Sequence, residues 1–298
     1  MALLRPKRNL QAAQHAGIFK MKIHAISTGK VKITQNWQVA REGDPLRLAH
    51  TLFDRRFTDW LPIFCYVIEH PEGLIVIDTG IPANANDPVW FPPWMRLVQR
   101  AAYFDRMSSE EEIGPQLQKR GLSINDVRWV VLTHLHQDHD GGLHHFPQAE
   151  IVITQAEWKA AAGLKGRLVG YLNQRWPKWF SPTLIEFKND PYGVFTYNHQ
   201  LTLAGDVHLV PTPGHSLGHM SVLLQEDSHV ICFAGDASYS QELLLTDEID
   251  GIAPNPVAQL RSHKQILEFA AQTPLIYLPA HEWDAQRRLE AREAIPCS

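Results

Sequence analysis

Thr133-His134-Leu135-His136-Gln137-Asp138-His139-Asp140-Gly141-Gly142 directly follows a short β-branched and aromatic run, residues 128–132. Three histidines and an aspartate fall within the six positions 134–139. In an extended segment alternate side chains face the same way, so His134 and His136 can grip one ion. Asp138 and His139 follow where two glycines let the chain turn, and they can reach a second ion. Imidazole nitrogen and carboxylate oxygen suit zinc and related divalent metals.

The same grammar, an apolar strand ending in one ligand-type residue, recurs three times further on. Residues 207–210 lead to Pro211-Thr212-Pro213-Gly214-His215, residues 229–233 to Ala234-Gly235-Asp236, and residues 275–278 to Pro279-Ala280-His281. Strand ends on one edge of a sheet converge, so these loops can meet the 134–139 turn. A count of 16 histidines in 298 residues supports a search for metal ligands.

Composition bounds the remaining possibilities. Apolar residues make up 44% and charged residues 20% of the chain, and the net charge is −4, which fits a globular protein and not a disordered one. A mildly acidic balance without a long Lys/Arg run argues against nucleic acid as partner. No apolar stretch approaches the ~18 residues of a membrane span, and the basic start lacks the apolar core of a secretory signal. Cys65 and Cys232 sit inside apolar runs and Cys297 near the end. The expectation is buried, reduced thiols and a cytoplasmic protein.

Strands are expected over 21–27, 63–69, 74–77, 128–132, 151–154, 207–210, 221–224, 229–233 and 275–278, with a hairpin turn at 69–73. Helices are expected from Ser108 or Ser109 (each with a glutamate three residues on, as in a capping box) to Arg120, and over 155–162, 257–271 and 284–294. Clustered strands with helices between and after them point to an α+β fold of αββα layers. Residues 1–20 read as an arm, and 21–298 as one domain with aromatic insertions near 81–107 and 155–200. Three prolines between 88 and 93 argue against regular structure in the first insertion. Trp90, Phe91, Trp94, Met95, Leu97 and Phe104 there, with Trp158, Tyr171, Trp176, Trp179 and Phe180 in the second, can line an apolar pocket, fill core or cover a dimer interface.

The pattern His-x-His-x-Asp-His followed by His, Asp and His resembles the dinuclear hydrolases of the metallo-β-lactamase superfamily over residues 21–285. The resemblance implies an αββα sandwich with the site at one edge. It implies one ion held by His134, His136 and His215, a second by Asp138, His139 and His281, and Asp236 bridging the pair. Two divalent ions are implied, zinc first and iron, cobalt or manganese as alternatives. Asp78 in Ile77-Asp78-Thr79-Gly80 matches a superfamily motif that supports the site from behind.

Finer features narrow the chemistry. Asp236 stands where some β-lactamases carry a cysteine ligand, and His136 where the diiron branch carries a glutamate. RNA-processing members need a basic phosphate-binding arm, and none is apparent here. Tyr239 in Gly235-Asp236-Ala237-Ser238-Tyr239 resembles the N-acyl homoserine lactonases, as does the run from Pro213 to His219, in which His219 is expected to be structural. That resemblance implies ring opening of an N-acyl homoserine lactone by a hydroxide between the ions. Metal and Tyr239 would hold the oxyanion, and Asp138 would pass a proton to the leaving ring oxygen. It also implies a homodimer. A glyoxalase II-type thioesterase, another lactone, ester or organophosphate hydrolase, and a metal-binding regulatory protein are the alternatives.

Overall fold

A computed structural model describes residues 21–40, 43–87 and 90–296. The proposed 1–20 arm and Cys297 lie outside these residues. The strands are β1 (Lys22–Ile33), β2 (Leu61–His70), β3 (Gly73–Ile77), β4 (Tyr103–Arg106), β5 (Val127–Val131), β6 (Glu150–Thr154), β7 (Thr183–Ile185), β8 (Lys188–Tyr192), β9 (Phe195–Gln200), β10 (Val207–Pro211), β11 (Met220–Gln225), β12 (Val230–Gly235) and β13 (Leu275–Pro279). The helices are α1 (Gln35–Gln38), α2 (Arg47–Phe53), α3 (Pro93–Ala102), α4 (Ile113–Lys119), α5 (Gln137–Asp140), α6 (Gln155–Ala161), α7 (Gly163–Leu168), α8 (Gln241–Leu245), α9 (Pro256–Gln272) and α10 (Asp284–Ala291).

Two mixed sheets form, ordered β4-β1-β2-β3-β5-β6-β7 and β13-β12-β11-β10-β9-β8. Period-two alternation assigns each strand a face to each layer. Phe64, Tyr66, Ile75, Ile77, Trp129 and Val131 of the first sheet meet Leu209, Val222, Leu224, Phe233, Ile276 and Leu278 of the second in one buried inter-sheet cluster. The intervening residues point outward. Cys65, Val67, Val76 and Val130 pack beneath Ile113 and Leu117 of α4. Leu223, Cys232 and Tyr277 pack beneath Ile266 and Phe269 of α9. The layers therefore run helix, sheet, sheet, helix, as expected, and Cys65 and Cys232 are buried free thiols.

The topology also fixes where a site can be. β3, β5 and β6 run parallel, as do β12 and β13. β10 shares the direction of β12, because each is antiparallel to β11. Loops leaving the carboxyl ends of β3, β5, β10, β12 and β13 can thus meet at one edge, the usual place for a site in such a sheet.

Several expectations need correction. Residues 81–107 are not irregular: α3 and β4 lie there, and a 3-10 turn spans Ala83–Asn86. Pro93 opens α3, and at a first helical position its missing N–H costs nothing. The helix expected from Ser108 starts at Ile113 instead. The Ser108 N–H does bond Glu111 Oε2 at 2.7 Å, but around a turn. α10 stops at Ala291, where Arg292 adopts a left-handed φ of 53°. Helices α1 and α2 and the β8–β9 pairing were not anticipated. Among the described residues no helix is long and apolar enough to cross a membrane.

Candidate metal centre at the edge of the two sheets

The chain leaves β3 through Asp78, which takes a left-handed φ of 58°. That conformation is uncommon outside glycine, and aspartate tolerates it better than most residues. It turns the carboxylate back toward β5. Oδ1 accepts the Thr133 N–H at 2.8 Å, and Oδ2 accepts the Thr133 hydroxyl at 2.9 Å. Oδ2 also lies 2.8 Å from His139 Nδ1. With that nitrogen engaged, His139 presents Nε2 to the site.

The same device recurs on two other histidines. His215 Nδ1 lies 2.9 Å from Asp250 Oδ2, and His281 Nδ1 lies 2.8 Å from the Pro62 carbonyl. Each ring is held from behind and aims its second nitrogen inward, the arrangement that fixes tautomer and orientation in metal-ligating histidines.

The inward atoms converge. His136 Nδ1 lies 3.0 Å from both His134 Nε2 and His215 Nε2. Asp236 turns one oxygen to each side. Oδ1 is 3.3 Å from His139 Nε2 and from His281 Nε2, and Oδ2 is 3.4 Å from His215 Nε2. Asp138 Oδ2 is 3.6 Å from His281 Nε2. The groups His134–His136–His215, His134–His139–Asp236 and Asp138–His139–His281 each offer ligand atoms within 4.8 Å of one another. All seven residues singled out in the sequence therefore meet at one point.

The charges at the centre are tightly interlocked. Burial would raise the Asp236 carboxyl, but His281, His139 and His215 hold it well below the ordinary carboxylate range. Burial and neighbouring imidazoles push His134 well down and His136 to about 3. Both rings are therefore neutral, the form that ligates metal. Burial opposes charge on His139, His215 and His281 too, yet facing carboxylates outweigh it and raise all three. Two buried atoms at the centre, His139 Nε2 and Asp236 Oδ1, have no hydrogen-bond partner. Orphaned buried polar atoms are costly, and a divalent cation between them would satisfy both. The donor set fits such an ion.

Tyr239 forms part of the wall, with its ring centroid 5.3 Å from that of His281 and 5.9 Å from that of His215. Its hydroxyl accepts the Trp37 indole N–H at 3.1 Å. Burial and the Asp236, Asp250 and Asp138 charges raise its pKa well above the ordinary phenol value, so it stays protonated. His219 is structural, as expected: Nε2 accepts the Asp236 N–H at 3.0 Å. Gly235 precedes that bond at φ 54°, where a Cβ would fall 2.6 Å from Thr133 Oγ1 and 2.8 Å from His219 Nε2.

Three supporting residues escaped the sequence reading. Asp250 stands behind His215 and precedes Gly251, an ordinary turn pair that lacks the motif by which Asp78 was marked. Glu157 lies three residues after the Thr154 cap, so it reads as a helix-start residue. Its buried carboxylate instead accepts the N–H groups of Leu135 at 3.1 Å and Gly218 at 2.9 Å and the Ser216 hydroxyl at 2.7 Å, joining the loops that carry His136 and His215. Trp37 carries no local cue. The aromatic segments divide. Trp90, Leu172 and Trp176 line a cavity of about 390 Å³ beside Gln137, Trp158 stacks on Trp176 at 5.1 Å, and Trp94, Leu97 and Phe104 are exposed.

Two layered sheets carrying this His/Asp set at one edge define a class. Residues 58–281 match the model of the metallo-β-lactamase superfamily, and the chain belongs to that superfamily. Among curated proteins it is 28% identical over 236 residues to an N-acyl homoserine lactonase of Bacillus cereus, covering 76% of this chain and 84% of that protein. In fold it resembles an N-acyl homoserine lactone hydrolase solved with N-hexanoyl-L-homoserine at its catalytic metal centre. That match has a TM-score of 0.72 and 23% identity, over 89% of this chain and 95% of that one. It also resembles a dizinc quorum-quenching lactonase, with a TM-score of 0.62 and 19% identity over 91% and 90%.

Proposed function

We propose that this chain is a dinuclear metal-dependent hydrolase that opens the ring of N-acyl homoserine lactones, with zinc as the leading candidate ion. His134, His136 and His215 would hold one ion, Asp138, His139 and His281 the other, and Asp236 would bridge them. We further take 21–298 as one domain, since ligands from both sheets build a single site.

One observation carries the reading: two histidine-rich ligand groups share Asp236, with a protonated phenol in the wall beside them. The Bacillus relative and the product-bound neighbour support the choice of substrate. Bound divalent ions supply Lewis acidity and water ionised near neutral pH.

The chain's own groups do the rest. Tyr239 Oη already accepts from Trp37, so its hydrogen is free to point to the substrate carbonyl oxygen and to strengthen that bond as negative charge develops. Asp138 is half-buried at the open side of the site; it would take the proton lost by the attacking water oxygen and pass it to the ring oxygen as the ring C–O bond breaks. Trp90, Leu172 and Trp176 offer an apolar wall for the acyl chain.

The test is proton release by the metal-loaded chain on N-hexanoyl homoserine lactone, S-lactoylglutathione and a phosphotriester, with elemental analysis alongside. The expectation is about two ions per chain and turnover favouring the lactone. Tyr239→Phe should lower kcat roughly 10²–10³-fold with metal content unchanged. Preference for the thioester or phosphotriester, or an unaltered Tyr239→Phe enzyme, defeats the proposal.

A further inference from the structure

A second cluster of ligand-type side chains lies on the outer face of the first sheet, where the start of α4 meets the 3-10 turn Gly141–His145. Glu112 precedes α4. Its Oε2 lies 2.7 Å from His145 Nε2 and 3.2 Å from His144 Nε2, so both rings aim their outer nitrogen at one oxygen. The ligand atoms of all three lie within 4.8 Å of one another.

The cluster is held in place on two sides. Glu112 Oε1 accepts the Ala83 N–H at 2.7 Å, which fixes the carboxylate from behind. His145 is seated against α4 where Gly114 leaves room, since a Cβ there would fall 2.4 Å from its Nδ1. Burial and the neighbouring His144 ring push His145 below the ordinary imidazole value, which keeps it neutral. His144 is the open side, with its side chain 47% exposed.

We propose that Glu112, His144 and His145 form a further divalent-cation site, separate from the buried centre, that takes Zn²⁺ or a neighbouring late first-row ion. Two imidazole nitrogens and one carboxylate oxygen with an open position for water match a tetrahedral His2Glu set. The site ties together the loop after β3, the start of α4 and the turn that follows α5, the helix carrying Asp138 and His139. Because Glu112 joins the two histidines only in the fold, a cation there binds the folded chain more tightly than the unfolded one and so stabilises it.

The test is equilibrium dialysis of the metal-loaded, desalted protein against increasing Zn²⁺, read by elemental analysis and thermal unfolding. The expectation is one further ion per chain and a rise in Tm as it binds. His144→Ala removes only a half-exposed ring, and Glu112→Gln keeps the shape of the side chain. Each should weaken uptake of that ion at least about 10-fold, since losing a ligand costs no less than losing a group that orients one, while metal at the buried centre and far-UV circular dichroism stay as in the parent. The proposal is overturned if the parent binds no further ion up to roughly 1 mM Zn²⁺. Uptake by both variants that matches the parent overturns it equally.

Discussion

The two halves of the chain contribute to the centre in opposite styles. The first half concentrates its contribution in one turn, 134–139, backed by two carboxylates: Asp78 holds Thr133 and His139 together, and Glu157 holds the Leu135 N–H. The second half spreads His215, Asp236 and His281 over three strand ends, each oriented by a different partner: Asp250, the His219 ring and the Pro62 carbonyl. A compact cluster shares its supports among neighbours, whereas the dispersed residues each need a support of their own.

Asp236→Ala should produce the largest effect, because Asp236 alone turns an oxygen to each side. Metal content should drop and activity fall at least ~10³-fold, about 4 kcal/mol of lost stabilisation. Full metal occupancy on elemental analysis would break the ligand assignment.

Smaller effects test the supports. Asp78→Asn and Asp250→Asn should each weaken metal affinity about 10–100-fold in chelator competition. The dispersed half predicts that Asp250→Asn acts on His215 alone. Asp78→Asn should also loosen the whole 133–139 turn, read as faster amide exchange at Thr133. Equal exchange in the two variants would erase the contrast. The smallest effect belongs to Trp37→Phe, which removes one hydrogen bond of ~1 kcal/mol to Tyr239 and should lower kcat about fivefold at constant metal content.

The same contrast explains what was legible in the sequence. The 134–139 cluster can be read because its ligands are neighbours, and His215, Asp236 and His281 because each ends an apolar strand. Their supports act across the chain: Glu157 reaches Leu135 over 22 positions, Asp250 reaches His215 over 35, and Trp37 reaches Tyr239 over 202. No local pattern records such contacts. Helix α3 was hidden because Pro93 reads as a breaker unless its place at the first helical turn is known. β8 was hidden because Lys188–Tyr192 is polar, mostly exposed and contains Pro191, so it lacks the alternation that marks a strand.

The two sheets are already stitched at this edge. The Phe64 N–H bonds the Ala280 carbonyl at 2.9 Å, and the Tyr66 hydroxyl bonds the Pro279 carbonyl at 2.7 Å. The Met220 N–H bonds the Thr133 carbonyl at 3.0 Å. On the proposed ligand assignment, ions seated there act as rivets through both plates of the sandwich. Prising the plates apart must then release the rivets, so grip on metal and mechanical cohesion become a single quantity.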